Sequence, residues 1–230
     1  MEFDPIKSAI NRAYDFSEKQ QRALDEGRIT EEEWFEINKQ YFTGHYLSAD
    51  NPRAQSGHSG DEARWRYSRG MIIEAIHKSG TFLDIGCANG HLMATLHQWL
   101  KGSGLDVELY GLDISEGLVE LAKKRLPHWQ DRIFLGNALY WTPQTKYDIV
   151  RTGLEYVPLG RQKYYVDHLL NNYVAQDGRL IIGLYGEIRE SHELEETLIS
   201  WGYEPDGYCE KSKPNNKIVS YKMLWINKKG

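Results

Sequence analysis

Cysteine is scarce in this chain of 230 residues, which holds two, Cys87 and Cys209. Two cysteines at that separation give neither a disulfide framework nor the ligand spacing of a metal site. Long apolar runs are also missing: no stretch approaches the roughly 18 consecutive apolar residues of a membrane span, and the N-terminus carries no apolar signal segment. We therefore expect a reduced, cytoplasmic protein without a membrane anchor or a bound metal.

A basic track is missing as well. The 28 lysines and arginines are outnumbered by 33 aspartates and glutamates, and the formal net charge is −5. No run of lysine or arginine is long enough to follow a phosphate backbone, so nucleic acid is a disfavoured substrate. The chain also lacks an internal repeat, and its length suffices for one substantial core with a small appended subdomain.

The most informative feature that is present is the segment TFLDIGCANGH, residues 81–91. Its first half is a short apolar run, typical of a buried parallel strand, and its second half consists of small residues between Gly86 and Gly90. Small residues let the backbone N–H groups at the start of the next helix approach a ligand closely. Asp84, beside this turn, would repel a pyrophosphate but accept hydrogen bonds from an amino group. The segment therefore predicts a strand, a ligand-binding turn and a helix.

A second apolar run, LDVELYGLDI, carries Asp113 near its end. An acid at the tip of the second strand meets the ribose in doubly wound sheets, and one carboxylate can accept from both ribose hydroxyls. The same unit binds NAD, but that alternative requires the spacing G-x-G-x-x-G. Ala88 and Met93 occupy two of those glycine positions, which disfavours a dinucleotide. A glycine turn that merely closes the strand–helix–strand unit is the remaining alternative.

With these two motifs the chain resembles the class I S-adenosylmethionine-dependent methyltransferases, from about residue 61 onwards. LDIGCANG is similar to the family's first motif, although Ala88 replaces a frequent middle glycine and Asn137 replaces a frequent acid. The resemblance implies S-adenosyl-L-methionine as cofactor and S-adenosyl-L-homocysteine as its product. Asp113 would hold the ribose, Asn137 and Ala138 would flank the adenine, and Arg64 would meet the cofactor carboxylate. The full implied cofactor set is Arg64, Asp84, Gly86, Cys87, Ala88, Asn89, Gly90, Asp113, Ile114, Asn137, Ala138, Leu139 and Thr152.

The rest of the chain alternates apolar strand-like runs with amphipathic helical ones, which is typical of a doubly wound α/β domain. A turn is predicted at Asp177-Gly178 and an antiparallel hairpin about Pro214-Asn215-Asn216. The five further strands are predicted at 132–139, 147–152, 179–185, 202–211 and 218–226. The expected fold is therefore a seven-stranded, mostly parallel, Rossmann-like sheet with a C-terminal antiparallel hairpin and an N-terminal helical lid.

The first sixty residues differ from the rest. We predict that 1–60 form the helical lid, which selects the substrate, and that 61–230 form the cofactor-binding domain. Gly27 and Gly44 are predicted helix stops. The predicted helix starts are a first-turn proline and two capping boxes, namely Asp4-Pro5, Ser17 with Gln20, and Thr30 with Glu33.

Residues 45–60 predict a loop, since they contain Asn51-Pro52, two glycines and three serines. Loops of this length inside a compact domain are usually functional. We interpret the segment as one that closes over cofactor and substrate, with an ordinary solvated loop as the alternative. It leads into a predicted helix at 61–78.

Acceptor contact is assigned to the segment after the fourth strand, with Glu155 and Tyr156 as candidate catalytic residues. His58, and with it His45, is a candidate general base from the loop. The segment lacks the D/N-P-P-Y/F pattern of enzymes that methylate planar amide or base nitrogens, and the Pro-Cys of cytosine-C5 enzymes. We therefore expect methyl transfer to an N or O atom of a small-molecule acceptor, by a monomer or homodimer. The alternatives are a protein or RNA methyltransferase and a non-catalytic protein that binds the same cofactor.

Overall fold

A sheet of seven strands organises the structure, a computed structural model that describes residues 5–188, 191–214 and 216–229. The strands are β1 (Gly80–Ile85), β2 (Val107–Asp113), β3 (Ile133–Leu135), β4 (Tyr147–Thr152), β5 (Val174–Ile188), β6 (Gly207–Lys213) and β7 (Asn216–Asn227). They follow the order β3-β2-β1-β4-β5-β7-β6. The first five are parallel, and β7 is antiparallel to β5 and β6. The predicted fold class is confirmed.

Helices cover both faces of the sheet. Within the described residues they are α1 (Pro5–Asp25), α2 (Glu31–Leu47), α3 (Glu62–Arg69), α4 (Ile72–Ala75), α5 (His91–Leu100), α6 (Glu116–Arg125), α7 (Gln162–Asn172) and α8 (Glu193–Ser200). The capping box predicted at the start of α2 is confirmed. Thr30 Oγ1 accepts from the Glu33 backbone N–H at 3.1 Å, and the Glu33 carboxylate accepts from the Thr30 N–H at 2.8 Å.

Two other predicted helix boundaries are wrong. Ser17 lies inside α1, which continues to Asp25, and α2 passes Gly44 and ends at Leu47. A capping side chain satisfies N–H groups that an uninterrupted helix satisfies internally, so the signal at Ser17 has no effect inside a longer helix. Asp4, the predicted cap of α1, and Asn215, in the predicted hairpin turn, lie outside the described residues.

Three predicted elements have different limits in the structure. The helix expected at 61–78 is divided, because α3 ends at Arg69 and α4 begins only at Ile72. The turn expected at Asp177-Gly178 lies inside β5, where Asp177 has a φ of 56° and the register against β4 shifts. The third strand is three residues long instead of eight.

Side chains of the central strands alternate between two buried cores. Leu83 and Leu112 face a core completed by α7, α8 and the aromatic residues Trp34 and Phe35 of α2. Phe82 faces the other core, with α3, α4, α5 and α6. At the strand ends the same alternation decides which polar side chains point towards α3 and which point towards α7.

The carboxyl ends of β1, β2 and β4 meet at one edge of the sheet, where parallel α/β proteins bind their ligands. Helix α2 lies near this edge, because Thr43 Oγ1 donates to Ser115 Oγ at 2.7 Å. Ser115 in turn caps α6 by accepting from the Leu118 N–H at 3.3 Å. The N-terminal segment is thereby attached directly to the end of β2.

Candidate active site

The turn after β1 has backbone conformations that only small residues accept readily. Gly86, Ala88 and Gly90 have φ values of 74°, 47° and 73°. A Cβ on Gly86 would lie 2.6 Å from Cζ of Tyr156, so a larger residue has no room there. Ala88 is held in the left-handed region at a cost of about 1 kcal/mol or more. Such strain persists only where neighbouring groups enforce it.

Asp113 enforces that conformation. Its Oδ2 accepts from the Ala88 N–H at 2.8 Å, and its Oδ1 accepts from the Ser115 N–H at 2.9 Å. Burial raises the pKa of Asp113 to about 6, although these backbone hydrogen bonds oppose the shift. The carboxylate at the tip of β2 therefore couples the turn to the strand end. It lies where the sequence predicts contact with a ribose.

Asp84 is paired with an arginine of the neighbouring strand. Arg151 is its register partner on β4, and Arg151 Nη1 lies 3.1 Å from Asp84 Oδ1. Both side chains are almost completely buried. Burial raises the pKa of Asp84, and the positive charge of Arg151 opposes that shift. The sequence predicts that Asp84 accepts a hydrogen bond from an amino group of a ligand. In the structure Asp84 is already paired with the guanidinium of Arg151.

Glu155 and Tyr156 follow β4 and lie against the two glycine positions at this edge. Tyr156 covers Gly86, and its hydroxyl accepts from Arg151 Nη1 at 3.2 Å. A Cβ on Gly153 would lie 2.5 Å from Cδ of Glu155, so the carboxyl group folds back over that residue. Glu155 has solvent-accessible surface, while protein atoms crowd its carboxyl group. This enclosure raises its pKa.

Two tyrosines of the N-terminal segment lie within electrostatic reach of Glu155. Burial and the negative charge of Glu155 raise the pKa of Tyr14. Burial raises the pKa of Tyr46 to about 12, with the charges of Asp113 and Glu155 acting in the same direction and that of Arg69 against it. Tyr46 therefore lies within electrostatic reach of both Asp113 and Glu155. The N-terminal helices contribute side chains to the site itself.

Two adjoining clefts lie between α2 and the ends of β2 and β3, and Ile114 and Asn137 line both. The first has a volume of about 340 Å³ and is lined by Glu32, Phe35, Glu36, Ile114, Asn137 and Tyr140. The second, of about 580 Å³, includes Lys39, Thr43, Ser115 and Gly136. Phe35 and Tyr140 offer aromatic surface beside polar groups, a combination that suits a flat heterocycle.

Asn89 connects the turn to the loop at 45–60. Its Nδ2 donates to the Pro52 carbonyl at 2.9 Å, and its Oδ1 accepts from the His91 N–H at 3.1 Å. Gln55 Oε1 lies 3.4 Å from the same Nδ2. The side chain of Asn89 is fully buried. It therefore ties the loop to the ligand turn and does not point into the clefts.

The loop is less irregular than the sequence predicts. A short 3₁₀ helix, Ala54–Ser56, lies within it, and Gly57 has a φ of 76°. Tyr46 packs against Gly57, where a Cβ would lie 2.6 Å from its Cζ. The segment is thus folded against the site, as a closing segment would be.

Arg64 lies elsewhere than predicted. Its Nε donates to the Tyr221 hydroxyl at 3.2 Å, towards β7. The cation whose charge acts on Asp84, Glu155 and Tyr46 is instead Arg69, the last residue of α3. Arg69 and Arg64 are separated by five positions, so they do not share one helical direction. Arg69 therefore acts electrostatically at this edge of the sheet, while Arg64 contacts β7.

His58 is reassigned from a catalytic to a packing role. It is buried, with Nε2 3.3 Å from Ser68 Oγ and its ring edge-on to Trp65 at 5.2 Å. Burial and the charges of Arg69, Arg64 and Arg53 lower its pKa to about 3. A histidine with that pKa is a weak base at neutral pH. His45, the second loop histidine, is exposed beside Tyr41.

Several other predicted cofactor contacts belong to the core behind the site. Thr152 points to the face opposite Arg151, and its Oγ1 lies 2.7 Å from the Tyr165 hydroxyl. Leu139 and Ala138 pack in the core of that same face. Cys87 is buried below the turn, which raises the pKa of its thiol. Asn137 lines the clefts, but its Oδ1 accepts from the Leu139 N–H at 3.0 Å and stabilises the local turn.

Sequence analysis assigned no specific site role to Arg151, Arg69, Tyr14 or Tyr46. Arg151 had a recognisable signal, because an arginine directly follows the apolar pair Ile149-Val150 near the end of the strand YDIVRT. A buried arginine requires an acid nearby, and Asp84 ends the adjacent strand of a sheet with this order. Tyr14 and Tyr46 had no comparable signal among 15 tyrosines.

Within the described ranges, no group of three or more histidine, cysteine or acidic side chains is arranged to hold a metal ion. None of the helices in those ranges combines the length and the apolar character needed to cross a membrane. Cys87 and Cys209 are both buried as free thiols.

Comparisons with known proteins agree with this geometry. Residues 76–130 match the family model described as a methyltransferase domain; the match begins directly after α4 and covers β1, α5, β2 and α6. No curated protein matches the chain in sequence. Residues 76–130 therefore resemble a methyltransferase domain, and the solved structures that follow, all below 25% identity, share the fold of most of the chain.

Three solved structures illustrate the likeness. The 1,6-didemethyltoxoflavin-N1-methyltransferase of Burkholderia thailandensis, with its substrate and S-adenosylhomocysteine bound, has a TM-score of 0.66 at 15% identity, over 88% of this chain and 92% of its own. The magnesium protoporphyrin IX methyltransferase of Synechocystis PCC 6803, with S-adenosylmethionine, gives 0.54 at 18%, over 84% and 96%. The [4+2]-cyclase SpnF gives 0.60 at 12%, over 85% and 96%. The fold is therefore shared, while SpnF illustrates that the fold alone does not name the reaction.

Proposed function

We propose that this chain transfers a methyl group from S-adenosyl-L-methionine to an N or O atom of a small-molecule acceptor, with S-adenosyl-L-homocysteine as the product. The observation that carries the proposal is the strained turn from Gly86 to Gly90, held by Asp113 beside a cleft lined by Ile114 and Asn137. This arrangement combines a close backbone approach, a ribose acid and a heterocycle cleft in one place. We further propose that the protein acts in the cytoplasm as a monomer or homodimer.

The residues around the turn fit this cofactor. Asp113 retains acceptor capacity for ribose hydroxyls, since a carboxylate has about four lone-pair sites and two are used by the backbone. Phe35 and Tyr140 would enclose the adenine, next to Ile114. Arg69 would attract the carboxylate of the cofactor's amino-acid part. The buried ion pair of Asp84 and Arg151 would lie next to that part. When bound, S-adenosylmethionine supplies an electrophilic methyl group on a sulfonium.

A small acceptor is supported by how the site is enclosed. Tyr14 of α1, Tyr46 of α2 and the loop tied down by Asn89 all lie over the end of the sheet. A protein side chain or an RNA base would have to pass this cover. We therefore propose that 1–60 act as the substrate-selecting lid and that 61–230 act as the transferase domain. The excess of acidic residues argues in the same direction against RNA.

Glu155 is the residue best suited to act on the acceptor. Its enclosure raises its pKa, which brings the carboxylate closer to the basicity that a general base needs at neutral pH. A hydroxyl acceptor would lose its proton to Glu155, whereas an amine would be oriented by it. Methyl transfer mainly requires the nucleophile to be held about 3 Å from the methyl carbon with water excluded. Tyr14, Tyr46 and Tyr156 would exclude that water.

The first experiment is calorimetric titration of S-adenosylhomocysteine into the wild-type chain and into Asp113→Ala. We expect binding in the wild type and a large loss in the variant. Transfer of labelled methyl groups from S-adenosylmethionine to a library of small metabolites then tests the acceptor class. Label retained in a macromolecular fraction would contradict the small-molecule proposal. Binding without transfer to any acceptor would favour the non-catalytic alternative.

A further inference from the structure

Two cations lie together on the side of the site formed by α3, β6 and β7. Arg64 Nε donates to the Tyr221 hydroxyl at 3.2 Å, and Lys213 Nζ lies 5.6 Å from the centre of the Tyr221 ring. Tyr221 is buried, and both cations are half-buried. We refer to Arg64, Lys213 and Tyr221 as the cation pair on Tyr221.

The cation pair is not neutralised by the carboxylates around it. Within the ranges that the structure describes, neither Arg64 nor Lys213 forms an ion pair with an acid. The neighbouring Lys211 provides a contrast on the same strand. It lies over the ring of Tyr67 at 5.6 Å and is paired with Glu74 at 3.5 Å. Burial and the positive charge of Arg64 lower the pKa of Lys213, so the two cations repel each other. Two adjacent, partly desolvated cations without an acid are a favourable place for an anion.

The cation pair lies close to Tyr14, at Gly186. A Cβ placed on Gly186 would lie 3.6 Å from Lys213 Nζ and 2.6 Å from the Tyr14 hydroxyl. Lys213 and Tyr14 therefore border the same small space, and Tyr14 senses the charge of Glu155. Arg69, by contrast, acts on Asp84 and Glu155 and serves the cofactor side. The charge on Arg64 and Lys213 is thus available to a second molecule.

We infer that Arg64 and Lys213 bind an oxyanion of the methyl acceptor, either a carboxylate or a phosphate, while Glu155 faces the atom that receives the methyl group. This inference rests on the proposed function and adds to it a class of substrate: a small acidic metabolite with a nucleophilic N or O atom. Arginine offers a planar fork and lysine a point charge, and both bind carboxylate and phosphate oxygens. The anionic group would orient the acceptor from the end remote from the reacting atom.

The test is competitive acetylation of lysines in the full chain, measured for each lysine by mass spectrometry. Inorganic phosphate is the probe, acetate replaces it in a second arm, and chloride at equal ionic strength is the control. Each arm is run with and without saturating S-adenosylhomocysteine. We expect phosphate or acetate to slow the acetylation of Lys213 several-fold in a saturable way, and to leave Lys211 unchanged. The protection should persist with S-adenosylhomocysteine bound.

Two variants distinguish charge from packing. Arg64→Gln should abolish the protection of Lys213, and Arg64→Lys, which keeps the charge, should retain most of it. The inference is overturned if phosphate protects Lys211 and Lys213 equally, or neither. It is also overturned if S-adenosylhomocysteine removes the protection, since the pair would then hold the cofactor carboxylate. If S-adenosylhomocysteine does not bind in calorimetry, the proposed function is contradicted instead. The acetylation arms without S-adenosylhomocysteine would still decide whether Arg64 and Lys213 bind an anion.

Discussion

Asp84 and Arg151 face each other across β1 and β4 as register partners, with Arg151 Nη1 3.1 Å from Asp84 Oδ1. The same Nη1 lies 3.2 Å from the Tyr156 hydroxyl, and Tyr156 covers Gly86. One buried guanidinium thus connects the acid beside the ligand turn with the ring that lies on that turn. The ion pair therefore holds Tyr156 in place over the ligand turn. Its formation requires both charges to be desolvated.

Replacement of Arg151 by methionine should destabilise the protein strongly. The change leaves the buried Asp84 carboxylate without its partner, which costs about 3–5 kcal/mol in comparable cases. The measurement is the free energy of unfolding by urea. The double variant Asp84→Asn with Arg151→Met should recover part of the loss, because no uncompensated charge remains. If Arg151→Met alone is as stable as the wild type, the ion pair between Asp84 and Arg151 does not form in solution.

Binding of S-adenosylhomocysteine should depend on pH through Asp113. Its pKa is raised to about 6 by burial, and ribose hydroxyls donate to the ionised form. Affinity should therefore rise as the pH increases through about 6 and level off above it. Calorimetry from about pH 5 to about pH 8 measures this. Asp113→Asn should bind weakly with a flat profile, and an unchanged profile in that variant would assign the titration to another group.

The titration of Asp113 should change the stability of the fold with pH in the opposite direction. The folded pKa of Asp113 lies above the ordinary value of 3.8, so the folded state binds the proton more tightly than the unfolded state. Its contribution to the free energy of unfolding should therefore decrease as the pH rises from about 4 to about 6. Urea unfolding of the wild type and of Asp113→Asn across this window separates the contribution of Asp113 from that of other groups.

Glu155→Gln should lower turnover with a hydroxyl acceptor by about a hundredfold or more, since a positioned general base contributes on that order. Affinity for S-adenosylhomocysteine should change little, because the carboxyl group folds over Gly153 and not over the glycine turn. Steady-state kinetics and calorimetry together give this comparison. Glu120→Gln, an exposed acid on α6, is the matched control. Equal turnover in Glu155→Gln would remove Glu155 from the reaction.

Asn89→Ala should loosen the loop at 45–60. The change removes the hydrogen bonds to the Pro52 carbonyl and from the His91 N–H, each worth about 1 kcal/mol. Limited proteolysis near Gly57 should become several-fold faster. In the wild type, S-adenosylhomocysteine should slow this cleavage. Asn172→Ala, at the end of α7, is the control, and cleavage that neither Asn89→Ala nor the ligand alters would argue against a closing segment.

Local patterns in the sequence are sufficient for much of the fold. Apolar runs of strand length, the small-residue turn from Gly86 to Gly90 and the capping box at Thr30 each depend on residues that are neighbours in the chain. A local capping signal gave a wrong prediction where a longer helix runs through it, as α1 does at Ser17. Hydrogen bonding within a continuous helix outweighs the single bond of a cap.

The site was predictable only in its cofactor half. Asp84, the turn and Asp113 belong to two consecutive strand ends, so the sequence by itself determined that two acids and a glycine turn lie at one edge of the sheet. Contacts between distant segments are not encoded in periodicity. Only the tertiary structure decided that Arg151 meets Asp84, that the charge of Arg69 acts on Asp84, and that Tyr46 packs against Gly57. The physical reason is that strand order and helix docking bring together charges and rings that are tens of residues apart, and burial then decides which of them pair.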